Sequence, residues 1–138
     1  MKTTRYAVAL VLAWGIAANA HGACTQANLA GKWSVYVQSN AGNNYAIACN
    51  VVVSSTGAIT ANNSTCAATN GATSSVSGSI KLKTASVCDY AGTVTLNSFS
   101  LTEQFLRSTL APDRSTLAGV GYEPASNVGY IFTMVRLP

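Results

Sequence analysis

Few side chains in this 138-residue chain can do chemistry, and the first to weigh is its one histidine, His21. An N-terminal His can hold copper through its amine and imidazole, but such a brace needs a second His. Without another imidazole, neither a Ser-His-Asp nor a Cys-His nucleophile can be assembled. Four cysteines stand at 24, 49, 66 and 88, with no Cys-x-x-Cys pair and no His to complete a zinc site. The acids after residue 20 are Asp89, Glu103, Asp113 and Glu123. Asp113 falls in a Pro-Asp turn, and Asp89 and Glu123 lie near strand ends, so no two carboxylates are expected to converge as an acid–base pair. The expectation is no enzyme, no metal and no cofactor.

Glu103 differs from the other acids because it lies within an apolar stripe, between Leu101 and Phe105. If that stripe faces inward, the buried carboxylate needs a partner. Arg107 on the same face, or Arg136, would make it an internal salt bridge within a filled core. The functional alternative is an anchor for a polar or cationic ligand, with Tyr45, Phe105 and Tyr130 as ligand-contacting candidates. Tyr36, Tyr90 and Tyr122 are spread over other strands and read as core and rim packing.

The elements that must position these residues are strands. After Ala20 no segment sustains a 3.6-residue apolar period, whereas period-two alternation recurs. Trp33, Val35 and Val37 alternate with Ser34, Tyr36 and Gln38, and Ile47, Cys49, Val51 and Val53 share a face with Tyr45. Asn40 to Asn44 reads as a turn, and Ser55-Thr56-Gly57 as a tight hairpin turn. A strand runs from Ile59 towards Cys66. Val76, Ile80 and Leu82 alternate with Ser77, Ser79, Lys81 and Lys83. Further strands are expected over Tyr90–Leu96, Phe99–Phe105, Thr116–Tyr122 and Val128–Leu137. About eight short antiparallel strands joined by short links predict a closed up-and-down β-barrel, with a two-sheet β-sandwich as the alternative. Large inward residues (Tyr45, Phe99, Phe105, Phe132, Met134) would fill it. Small ones (Ala61, Gly78, Gly92, Gly119, Gly121) would leave a cavity.

The N-terminus predicts the compartment. Lys2 and Arg5 precede an uncharged apolar run, Tyr6 to Ile16, and Ala18-Asn19-Ala20 gives the small-x-small pattern of a cleavage site. Residues 1–20 thus read as a signal peptide, cleaved after Ala20, and 21–138 as one domain, periplasmic or secreted. Gly22-Ala23-Cys24 resembles the end of a lipobox, but His21 stands where an aliphatic residue is needed. The later basic residues are Lys32, Lys81, Lys83, Arg107, Arg114 and Arg136; six minus the four acids leaves +2, against +4 for the whole chain. Charge this sparse and scattered argues against a nucleic-acid partner. Four cysteines in an exported chain predict two disulfides. Three pairings are open, and hairpin proximity favours Cys49 with Cys66, leaving Cys24 with Cys88.

Leu29-Ala30-Gly31-Lys32-Trp33 resembles the opening strand of the calycin barrels (lipocalins, fatty-acid-binding proteins and avidins), which begins with Gly-x-Trp. Calycins also tend to carry a basic residue on the final strand, packed over that Trp, and Arg136 in Phe132-Thr133-Met134-Val135-Arg136 matches it. The resemblance implies structural roles for Gly31, Trp33 and Arg136. Trp33 is the only Trp after residue 20, so the many-Trp biotin pocket of avidins is not implied. The leading expectation is an exported, non-enzymatic barrel binding a small apolar or amphipathic ligand at the end opposite Trp33. The alternative is a protein-directed module, such as a secreted protease inhibitor or a cell-surface interaction domain.

Overall fold

The computed structural model describes residues 22–39 and 45–138, with Tyr45 described by its backbone alone. The expected signal peptide, His21 and the turn at 40–44 lie outside the described residues. Nine strands follow in order: β1 (Gly31–Ser39), β2 (Tyr45–Val53), β3 (Ala58–Ile59), β4 (Thr65–Ala68), β5 (Thr73–Thr84), β6 (Asp89–Leu96), β7 (Leu101–Leu110), β8 (Thr116–Glu123) and β9 (Val128–Arg136). Every pairing is antiparallel, and β1 bonds both β2 and β9, so the sheet closes on itself. The protein is an all-β closed barrel with eight strand positions, and the sandwich is ruled out.

The third position is shared by β3 and β4, both lying between β2 and β5. Chain and partners fall out of step there. From Ile59 to Thr65 the chain advances six residues, while its partners move three, from Val53 to Asn50 and from Gly78 to Ser75. The surplus is taken up by a 3-10 turn, Ala61–Asn63, that swings out of the wall. Ser64 repairs the gap, its hydroxyl accepting from Val52 N–H and its carbonyl from Val76 N–H. The continuous strand expected between Ile59 and Cys66 is therefore broken, and Ala61 leaves the wall.

The core is the inward half of each alternation. Trp33, Val35 and Val37 are buried from β1, and Tyr130, Phe132 and Met134 from β9. Strand β7 changes phase midway. Phe105 pairs with Gly121 but Arg107 with Val120, so β7 carries one extra residue, a β-bulge. Residues 101, 103 and 105 point inward before it, and 108 and 110 after it, while Leu106 and Arg107 are both exposed. Phe99, expected in this strand, lies instead in a 3-10 turn, Asn97–Phe99.

Two disulfides form, Cys24–Cys88 and Cys49–Cys66, the pairing that hairpin proximity favours. With sequence separations of 64 and 17, closing these loops is worth about 4 and 3 kcal/mol by chain entropy. Cys24 sulfur is thus engaged, which leaves no thiol for the lipobox-like reading. Among the described residues no helix is long and apolar enough to cross a membrane.

Candidate functional site

The two ends of the barrel are built differently. At one end a 3-10 turn, Gln26–Leu29, folds under the wall, with Leu29 fully buried. Gln26 fastens it, donating to Ile80 carbonyl at 2.9 Å and accepting from Leu82 N–H at 2.7 Å. Tyr90 hydroxyl donates to Thr25 carbonyl at 2.9 Å. Trp33 sits fully buried above this turn, its indole N–H donating to Leu29 carbonyl at 2.8 Å. Arg136 pairs with Trp33 in register and lays its guanidinium 4.3 Å from the ring centroid. Its nitrogens also donate to the carbonyls of Asn28 (2.5 Å), Ala30 (2.6 Å) and Arg114 (2.9 Å). A guanidinium suits this place because its planar fork reaches several carbonyls while stacking on an indole face. Gly31 has φ +133°, and a Cβ there would come within 2.8 Å of Arg136 Nη1. This end is closed.

The opposite end holds the turns joining β6 to β7 and β8 to β9. A depression of about 280 Å³ opens there, lined by Ile47, Ala68, Asn70, Ala72, Phe99, Leu101 and Glu123. Beneath it, inside the barrel, is an apolar cavity of about 30 Å³ whose wall includes Ile47, Leu96, Phe105 and Glu103. That inner space suits one or two waters and is far below the size of a drug-like pocket. Phe105 and Phe132 stack at 4.3 Å, and Tyr130 meets Phe105 edge-on at 6.4 Å. Tyr130 folds its ring over Gly121, its partner on β8, where any Cβ would collide with it. The barrel interior is thus largely filled by aromatic side chains, and the space that Gly121 vacates is occupied.

Glu103 is the anomaly in this interior. It is 3% exposed, and among the described residues neither carboxylate oxygen meets a donor in hydrogen-bonding geometry. Burial, chiefly, and the nearby Glu123 carboxylate push its pKa up from 4.5 to about 7; the Tyr130 hydroxyl draws it part of the way back. Tyr130 itself donates to Gln104 carbonyl at 3.1 Å. Glu123 is also buried, at 4%, but the following turn satisfies it: Ser126 donates to its carboxylate from both N–H and hydroxyl.

The structure brings Glu103, Phe105 and Tyr130 together, while the Tyr45 side chain lies outside the described residues. Neither expected cation reaches Glu103. The β7 bulge turns Arg107 outward, where it is 77% exposed and 3.8 Å from Asp89, and Arg136 is committed to the closed end. The expectation that no two acids converge is also overturned, since β7 and β8 pair Gln104 with Tyr122 and so bring Glu103 alongside Glu123. A signal for Glu123 was present: it shares the inward phase of Leu117 and Gly121.

Fold and site together define a closed antiparallel barrel with one plugged end and one acidic, apolar mouth. No protein-family model and no curated protein matches the chain. Among solved structures, a redesigned β-barrel is similar over 85% of this chain and 100% of its own, at 18% identity and a TM-score of 0.59. A second redesigned β-barrel, bound to DFHBI, is similar over 79% of this chain and 99% of its own, at 14% identity and a TM-score of 0.54. At such identities the likeness is one of fold.

Proposed function

We propose that this chain is an exported, non-enzymatic barrel that binds a small apolar or amphipathic molecule at its open end. The observation carrying this reading is Glu103, a buried carboxyl with no donor among the described residues, under an apolar depression. A polar group left unsatisfied in an apolar wall is costly in the free protein and becomes favourable when a ligand supplies the missing hydrogen bond. The plug of Trp33 and Arg136 leaves the other end as the way in. One structural neighbour, a redesigned barrel, is bound to DFHBI, so a barrel of this shape can hold a small molecule. The two disulfides fit an oxidising compartment, in keeping with export.

The filled interior and an apolar outer stripe, in which exposed Val120 and Ile131 pair across β8 and β9, favour the protein-directed module as the second reading. Native mass spectrometry of the protein purified from its host's extracytoplasmic fraction separates the two. A co-purifying mass below the size of a peptide, lost on Phe99→Asp or Leu101→Asp substitution, is the expected result. A clean protein mass, with a protein partner captured through Val120 and Ile131, would overturn it.

A further inference from the structure

We infer that the ligand of this barrel is a cationic amphiphile: an ammonium group bearing N–H donors that seats on Glu103, with an apolar tail lying against the open-end wall. The inference rests on the ligand-binding reading above and adds the chemical class. Its first support is the distribution of charge. Among the described residues the cations are Lys32, Lys81, Lys83, Arg107, Arg114 and Arg136, and none is at the open end. Lys32 stands at the start of β1 and Lys81 donates to Thr56 carbonyl near the closed end. Lys83 is exposed near the end of β5, Arg107 lies on the outer wall, Arg114 in the turn after β7, and Arg136 in the plug. Residues 40–44, Asn-Ala-Gly-Asn-Asn, carry no charge in sequence. Among the described residues, this half of the barrel therefore holds two carboxyl groups, Glu123 lining the depression and Glu103 buried beneath it, and no fixed cation. A potential of that sign draws a cationic ligand and repels a fatty-acid carboxylate.

The second support is stereochemical. Among the described residues both oxygens of Glu103 lack donors, so a complementary group brings N–H or O–H, and an ammonium brings charge as well. Glu123, which lines the depression, already accepts two hydrogen bonds from Ser126 and so has less acceptor capacity left for a ligand than Glu103.

The test uses three ligands sharing one tail: n-octylamine, 1-octanol and octanoate. Each is titrated by calorimetry into the wild-type protein and into Glu103→Gln, at pH 8 and pH 5.5. The groups that face Glu103 are Glu123 from β8 and Tyr130 from β9, with apolar Val94 and Leu96 from β6. At pH 8 the wild type should bind octylammonium at least about tenfold tighter than octanol, and octanoate most weakly, as expected for a charge-assisted hydrogen bond. That preference should shrink at pH 5.5 and be absent in Glu103→Gln. Thermal melts of both proteins confirm folding. If octanol binds as tightly as octylamine at pH 8, or if Glu103→Gln keeps the preference, the cationic class is wrong while ligand binding stands. If none of the three binds, the ligand-binding reading falls with it.

Discussion

Replacing Glu103 by Gln should change how the stability of this protein responds to pH, and the size of the change follows from the site. Glu103 is buried in the folded barrel and solvated in the unfolded chain. Its folded-state pKa is raised from 4.5 to about 7, so the folded state binds the proton more tightly than the unfolded state. Below 4.5 both states are protonated, and a neutral acid is buried at full stability. As pH rises from 4.5 to 7 the unfolded chain releases its proton first, and stability falls; above 7 both states are ionised and the loss is complete. The interval from 4.5 to about 7, at about 1.4 kcal/mol for each tenfold in proton affinity, gives a loss of about 3 kcal/mol. Asp113 does not interfere: hydrogen bonds from Ser115 lower its pKa below 3.8, so its contribution is present above that value and lost only as pH falls further. The Gln side chain carries the cost of an unpartnered amide at every pH and so cancels from the slope. Urea unfolding at pH 4.5, 5.5, 6.5 and 8, with disulfides intact, reads the difference directly. Wild type minus Glu103→Gln should become less favourable by about 3 kcal/mol between the extremes, on the order of 10 °C in Tm. Parallel curves for the two proteins would refute the placement of Glu103 in a dry interior.

Other perturbations probe the closed end and the cross-links. Trp33→Ala should cost about 3–5 kcal/mol in chemical unfolding, because Trp33 is fully buried. Arg136→Lys should cost about 1–3 kcal/mol, since one ammonium cannot span the carbonyls of Asn28, Ala30 and Arg114. Gly31→Ala should also cost about 1–3 kcal/mol from its φ of +133° and the approach of Arg136, and less in an Arg136→Ala background, which a double-mutant cycle measures. Peptide mapping without reduction should yield Cys24 joined to Cys88 and Cys49 to Cys66; free thiols at 49 and 66 would sink the pairing.

The barrel was legible in the sequence because period-two alternation is a local signal and these strands obey it. Trp33, Val35 and Val37 are buried on β1 just as they alternate. The site was legible only in part, because alternation cannot show where it slips. One extra residue in β7 put Arg107 outside, although simple counting placed it on the face of Glu103. Three more residues, Ala61–Asn63, interrupted a strand whose two halves each looked regular. Such insertions are set by the curvature that closing the barrel demands, a property of the whole ring that no short window of sequence contains. The fate of the glycines was hidden for a similar reason. Gly121 looked like empty space, but the residue across from it is Tyr130, and only the register reveals that the ring fills the gap.

These slips concentrate on one question, why Glu103 has no cation. Had β7 run without its bulge, Arg107 would lie on the same inward face as Glu103. With the bulge, the protein retains a buried acid that lowers its stability by about 3 kcal/mol above pH 7, a large share of the 5–15 kcal/mol typical of a folded domain. The closed end shows that this chain satisfies polar groups where stability is the only requirement: the guanidinium of Arg136 has carbonyl partners for three of its nitrogens and an indole beneath it. Towards the open end the chain does the opposite with Glu103, whose carboxyl oxygens meet no donor among the described residues. A buried carboxyl with no donor among the described residues is already largely desolvated, so a ligand that supplied the missing donors would bear less of that cost.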